Sequence, residues 1–304
     1  MGIIEAQGLT RRFGERVAVD GLDLDVAEGS ITGFLGPNGA GKTTTIRMLL
    51  GLIAPSSGQA KVCGVPVGER RRMTSKVGAI VETPAFYGAL SALENLKVLA
   101  LTQGLAPTPS SLDALLTRVG LAGRGKEPVR SYSLGMKQRL GVAAALLPDP
   151  KVLFLDEPTN GLDPQGQVEM RTLLASLPAE GRTVFVSSHL LRDVELTCTD
   201  VIIVARGKKL VQGAVKQLLA QAAKVRLRVD DVEKARQALT HARAGLTVAV
   251  AEGQLEVALP ANTEVDSFAA ELTRTLVTAG VSVFELSQQR DGLERYFLEL
   301  TEAH

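Results

Sequence analysis

The segment SITGFLGPNGAGKTTTIRMLLGL, residues 30–52, restricts the possible folds of this chain more than any other stretch. Residues 31–35 read as an apolar strand. Gly36-Pro37-Asn38-Gly39-Ala40-Gly41-Lys42-Thr43 then fits G-x-x-x-x-G-K-[ST] without a gap, and 44–52 continues with helical apolar spacing at Ile46, Leu49 and Leu50. A strand, a Gly-rich loop and a helix in that order form a phosphate-binding element. The glycines let backbone N–H groups turn inward around an anion. The helix start adds partial positive charge. Residues 36–44 are therefore expected to bind a nucleoside triphosphate, with Lys42 reaching the β- and γ-phosphates and the Thr43 hydroxyl ligating Mg²⁺. A chance Gly-rich turn would not explain the fixed positions and their context together.

Further on, KVLFLDEPTNGLDP carries a continuous apolar run at 152–155, as in a strand buried on both faces of a parallel sheet. It ends in Asp156-Glu157. Beside a phosphate loop, Asp156 is expected to hold Mg²⁺ through its water shell. Glu157, one residue on, is placed to orient or deprotonate the water that attacks the γ-phosphate. The competing reading has both acids capping the turn marked by Pro158 and Asn160. TVFVSSHLL supplies another buried strand over 183–186, with His189 at the edge where ligands collect in open α/β folds. A lone histidine is more often structural, but this one is a candidate γ-phosphate contact. His241 and His304 carry no assignment.

Net charge is +1, which gives no overall field favouring nucleic acid or acidic lipid. Basic residues exceed acidic ones before residue 220, and the balance reverses after it, so an acidic tail domain argues against nucleic-acid binding there. The two cysteines, Cys63 and Cys198, lie far apart in unrelated patterns and read as reduced thiols, as expected of a cytosolic protein. MGIIEAQGLT shows no basic stretch followed by an apolar core, so no signal peptide is expected. No apolar run approaches the roughly 20 residues that span a bilayer, so any work at a membrane goes through a partner.

Between the phosphate loop and the acidic strand end lies VRSYSLGMKQRLGVAAALLPDPK. Ser131 to Gly135 reads as a turn entering a helix over 136–147. Ser133 and the free N–H groups near Gly135 form a second anion-binding helix start, which makes sense if it completes the phosphate site of another subunit. With this feature the chain resembles the ATPase subunits of ATP-binding cassette (ABC) transporters. Their signature, usually LSGGQ, stands here as YSLGM at 132–136, followed by KQR. Ser133 and Gly135 match the pattern; Tyr132, Leu134 and Met136 depart from it, in a variant similar to that of drug and antibiotic-peptide exporters.

The resemblance covers residues 1–220 and implies the remaining roles. Phe13 in RRFGERVAVD stands where an aromatic stacks on adenine; otherwise it is a core residue. Asn160-Gly161-Leu162-Asp163 matches the D-loop at the dimer seam, with Asp163 its acid, and His189 matches the switch histidine. Two cassettes are implied to sandwich two ATPs, with Ser133, Leu134, Gly135 and Met136 of one copy meeting the ATP held by the other. In AIVETPAFYG, Glu82 takes the place of the usual Q-loop glutamine, similar to the loops of bacitracin-type and lantibiotic-immunity exporters. Its carboxylate is implied to be a third Mg²⁺ ligand beside Thr43 and Asp156, contributing a full negative charge. Phe86 and Tyr87 would then be anchors for a membrane subunit, or else packing within the helical subdomain.

The expected fold is α/β: a P-loop NTPase core with a mostly parallel sheet, an antiparallel β subdomain and a helical signature subdomain over about 88–145. Residues 207–213 read as a closing hairpin strand before a helix at 214–222. The alternation then changes to strand 225–229, helix 232–242, strands 246–250 and 255–259 turning at Glu252-Gly253, helix 264–278, strand 281–286 and a last helix near 291–302. That β-α-β-β-α-β order makes 221–304 a small separate α+β domain, regulatory or dimer-stabilising. The implied function is ATP hydrolysis driving export of a drug, antibiotic peptide or related compound. The implied partners are a second copy and separate permease subunits at the cytoplasmic face of the membrane, with ATP and Mg²⁺ and no direct nucleic-acid contact. The alternative is a soluble cassette ATPase acting on a nucleic-acid or ribosomal partner. One phosphate loop and no sustained heptads between Lys42 and Ser133 speak against it.

Overall fold

The runs at 31–35, 152–155 and 183–186 are apolar on both strand faces, and a computed structural model places all three inside one six-stranded sheet. The structure describes residues 2–221, 223–243, 246–251, 253–260 and 263–290, with Leu293 and Phe297. By packing the chain divides into two units, Met1–Gly213 and Ala214–His304.

The first unit opens with β1 (Ile4–Phe13), β2 (Arg16–Val26) and β3 (Ile31–Leu35), then α1 (Lys42–Leu49), β4 (Ser57–Val62), β5 (Val65–Pro66), α2 (Arg70–Met73) and β6 (Val77–Ile80). Three helices follow: α3 (Ala92–Thr102), α4 (Pro109–Arg118) and α5 (Leu134–Leu146). The unit ends with β7 (Val152–Asp156), α6 (Pro164–Ser176), β8 (Thr183–Ser188), α7 (Leu191–Thr197), β9 (Asp200–Ala205) and β10 (Lys208–Ala214). One sheet has the order β10-β9-β3-β8-β7-β6, and the β9–β3–β8–β7–β6 neighbours are parallel. A second, antiparallel sheet has the order β2-β1-β4-β5. Arg206 and Gly207 both take positive φ (50° and 81°), the twist required of a two-residue hairpin between β9 and β10. At the centre Phe185 sits between Phe34 and Phe154, with ring centroids 5.2 and 5.5 Å away.

The helical segment is pinned by local chemistry. Ser91 and Glu94 form a reciprocal capping box at the start of α3. Tyr132 is buried and donates from its hydroxyl to the Arg124 carbonyl at 2.8 Å, so its departure from the usual signature serves packing. The helix after it starts at Leu134, two residues earlier than the sequence reading, because Ser133 caps it by accepting from the Met136 N–H at 3.2 Å.

The second unit begins with α8 (Val215–Gln221) and continues through β11 (Ala223–Val229), α9 (Val232–Ala242), β12 (Val248–Ala251), β13 (Gln254–Ala258), α10 (Val265–Thr278) and β14 (Val283–Arg290). Its sheet order β12-β13-β11-β14 puts the first strand between the third and the last, both antiparallel to it, which is the split β-α-β arrangement. Leu227, Leu255, Val257, Phe268 and Leu276 form its core. The last strand starts at Val283, later than expected. Gly280 takes φ 68°, and Val281 donates its N–H back to Leu276 at 2.9 Å, so helix termination consumes the first residues of the apolar run. The expected helix near 291–302 lies outside the described residues except for Leu293 and Phe297, and Glu252 of the expected turn lies outside them too.

Burial pushes the Cys198 thiol up to about 12 and raises that of half-buried Cys63 as well. At pH 8 an aromatic disulfide reagent is expected to label Cys63 slowly and Cys198 only after denaturation. Fast labelling of both thiols in the native protein would contradict this burial.

Candidate active site

The phosphate loop connects β3 at the centre of the parallel sheet to α1. Gly41 has φ 99°, and a Cβ there would stand 2.4 Å from the Ala18 carbonyl oxygen, so only glycine fits. A Cβ at Gly36 would meet the Val204 carbonyl oxygen at the same 2.4 Å. Lys42 is nearly buried; its Nζ donates to the Gly36 carbonyl at 2.7 Å and the Pro37 carbonyl at 3.3 Å. The ammonium is thus folded back over its own loop, 3.2 Å from Glu157 Oε1.

The ends of β7 and β8 supply the acids and their supports. Asp156 is buried and accepts two hydroxyl bonds, from Thr43 at 2.7 Å and from Ser187 at 2.5 Å. Those donors fix both carboxylate oxygens. Glu157 takes φ 50°, an uncommon backbone state for a residue with a side chain. Its N–H donates to Ser187 Oγ at 3.0 Å, which holds that turn. The carboxylate then bridges two cationic or polar partners: Lys42 Nζ on Oε1 and His189 Nδ1, 2.6 Å from Oε2.

Lys42, Glu157 and His189 line one cavity of about 360 Å³, together with Arg16, Ala18, Asn38, Gly39, Gly41, Thr43, Thr44 and Asn160, and Asp156 stands behind Thr43. Its volume lies within the usual range for a small-molecule site. A larger groove of about 560 Å³ lies between β6, α3 and α5, but it contains no phosphate loop and no acid–base pair, so the chemistry belongs to the smaller cavity. The Thr43 hydroxyl and Asp156 carboxylate form an all-oxygen pair that fits a Mg²⁺ ion keeping water and phosphate oxygens for its other positions. Among the described residues no cluster of three or more His, Cys, Asp or Glu could hold a metal alone.

The residues expected from sequence therefore fall into two groups. Asn38, Gly39, Gly41 to Thr44, Asp156, Glu157 and His189 come together at the cavity, with Gly36, Pro37 and Ala40 completing the loop behind them. Glu82 does not join them: with φ 64°, it accepts an ion-pair bond from Arg47 at 2.5 Å. Phe13 ends β1, 48% exposed, with the Arg11 guanidinium 4.6 Å over its ring. Ser133, Leu134, Gly135 and Met136 form the start of α5 outside the cavity, the first two exposed and the next two half-buried, where first-turn amides have no carbonyl partner inside the helix. Asp163 caps α6 by accepting from the Gly166 N–H at 3.1 Å.

Sequence reasoning gave no role to Arg16 or Ser187. It also missed the buried Asp193, which accepts from Thr159 Oγ1 at 2.7 Å and pairs with Arg171 at 2.8 Å behind the acidic turn. Ser187 lies within TVFVSSHLL, two residues before His189, so its place at the strand end was a usable signal; the Asp193 network has none.

A family profile described as ABC transporter matches residues 19–160. The chain is 40% identical over 302 residues to the bacitracin transport ATP-binding protein BcrA of Bacillus licheniformis, covering 98% of this chain and 97% of that protein. It is also 40% identical over 210 residues to the lantibiotic transport ATP-binding protein SrtF of Streptococcus pyogenes, covering 69% and 90%. Among solved structures, cbiO1 from Clostridium perfringens, part of the ABC transporter complex cbiONQ, superposes with a TM-score of 0.64 at 27% identity, over 80% of this chain and 96% of that one.

Proposed function

The chain belongs to the ATP-binding proteins of ABC transporters, and from that premise we propose that it drives export of a peptide antibiotic or related compound through separate membrane subunits. The observation that carries the chemistry is the Glu157 carboxylate, fixed at the cavity wall between Lys42 and His189. Lys42 exchanges its loop carbonyls for phosphate oxygens when ATP enters, which frees Glu157 Oε1 to accept a proton from the attacking water. His189 keeps the other carboxylate oxygen turned into the site. Thr43 and Asp156 would hold Mg²⁺, which when bound neutralises charge on the β- and γ-phosphates. On this reading Phe13 would stack on the adenine ring, with Arg16 at the cavity wall, and Glu82 is a third candidate metal donor.

The exposed signature start supports a homodimer in which Ser133 to Met136 close the cavity of the second copy, with Asp163 at the seam. The relatives described above are transport proteins, and that favours a membrane partner over a nucleic-acid or ribosomal one. No helix among the described residues is long and apolar enough to cross a membrane, so this reading places the chain at the cytoplasmic face through its permease. The groove lined by Leu52, Val81, Pro84, Phe86 and Leu99 suits an apolar helix end of that permease, and Tyr87, next in sequence to Phe86, is 64% exposed. On this reading residues 1–220 act as the cassette, with the helical subdomain at about 88–145, and 221–304 as a regulatory or dimerising domain, although by packing the boundary falls earlier, after Gly213.

The test is ATP hydrolysis by the purified complex of this chain with the membrane protein that co-purifies with it, with and without bacitracin. Stimulation supports the reading, and hydrolysis indifferent to any peptide antibiotic would remove the substrate class. Phe86→Ser is expected to lower permease capture about tenfold or more while the isolated subunit hydrolyses ATP at its usual rate. Unchanged capture would mean that the groove is not the docking site.

A further inference from the structure

Glu82 is the one candidate metal donor that stands apart, and the structure shows what holds it. Its carboxylate pairs with Arg47, both side chains being substantially exposed. Arg47 lies four residues after Thr43 on α1, so the two share a helix face one turn apart, an axial rise of about 6 Å. Thr43 faces Asp156 at the end of β7. The neighbouring β6 runs parallel to β7 in the register Ile80 with Leu155, which brings Glu82 out level with Glu157 at the same sheet edge. The acid is therefore parked on the guanidinium of a residue one helical turn along α1 from Thr43.

We infer that Arg47 is a positioning residue that holds Glu82 away from the metal site and offsets its charge there. This rests on the reading of Glu82 as a donor to the nucleotide-bound metal. Without Arg47, a third carboxylate would be free to approach Asp156 and Glu157, adding negative charge where a triphosphate must enter. An exposed ion pair is weak enough to open, so the nucleotide-bound metal competes with the guanidinium for the carboxylate. Thr83 to Phe86, the residues that follow, line the large groove, so whatever occupies it acts on the same loop.

The experiment measures Mn²⁺ binding by electron paramagnetic resonance on the full chain with a saturating non-hydrolysable ATP analogue. Wild type, Arg47→Ala, Glu82→Ala and the double variant are compared, with thermal melts to check folding and Arg47→Lys as the conservative control. Arg47→Ala is expected to tighten Mn²⁺ binding about two- to fivefold, the size of an exposed ion pair. That gain is expected to vanish in the Glu82→Ala background and to be mostly absent in Arg47→Lys. An equal gain in both backgrounds would overturn the proposal, since Arg47 would act by charge alone. Weaker binding in Glu82→Ala with no effect of Arg47→Ala would also overturn it, while leaving Glu82 as a donor. Equal binding by Arg47→Ala and the double variant would overturn the donor reading, and the proposal with it.

Discussion

Glu157→Gln is expected to lower ATP turnover by roughly 10²–10⁴-fold, the usual contribution of a positioned general base, while ATP binding is retained. The substitution keeps the side-chain shape, so the strained φ of 50° and the backbone bond to Ser187 survive. What is lost is the acceptor: an amide oxygen does not take a proton from water near neutral pH. The variant is therefore expected to trap ATP. Phosphate release under saturating ATP gives kcat, and equilibrium binding of labelled ATP gives affinity. Glu82→Gln, by contrast, is expected to keep turnover within about tenfold, because Glu82 is paired with Arg47 outside the cavity and an amide oxygen remains a metal ligand. Equal loss in the two variants would sink this division of labour.

The contrast between those two acids also marks what could be read from the sequence. Asp156 and Glu157 close a run of four apolar residues, and a buried parallel strand forces its end to the ligand edge of the sheet. The phosphate loop was legible for a similar reason: its glycines are required by backbone approach, as at Gly41 against Ala18, and leave a fixed spacing behind. The Arg47–Glu82 pair joins a helix and a loop whose relative placement depends on three-dimensional packing, and no spacing encodes it. The same holds for Asp193, Thr159 and Arg171. Boundaries shifted where caps override hydrophobic pattern: Ser133 starts α5 early, and the Gly280 turn delays β14.

The sheet that aims these acids depends on one ring. Phe185 is fully buried on β8, flanked by Phe34 on β3 and Phe154 on β7, the strands that lead into the phosphate loop and Asp156. Two residues further along β8, Ser187 holds both Asp156 and the Glu157 N–H. Phe185→Ala is expected to cost about 3–5 kcal/mol through lost transfer energy and an unfilled cavity. For a unit of this size that corresponds to a fall in its melting temperature of roughly 6–20 °C. Phe185→Leu, which keeps most of the volume, is expected to lose less than half as much. Saturating ATP should recover part of the loss in both variants, because ligand bound only to the folded state adds its binding free energy to stability. Circular-dichroism melts with and without ATP decide the matter. A drop below about 2 °C for Phe185→Ala would mean that the three rings are not one continuous core, and that Ser187 is held in place by the sheet's hydrogen bonds alone.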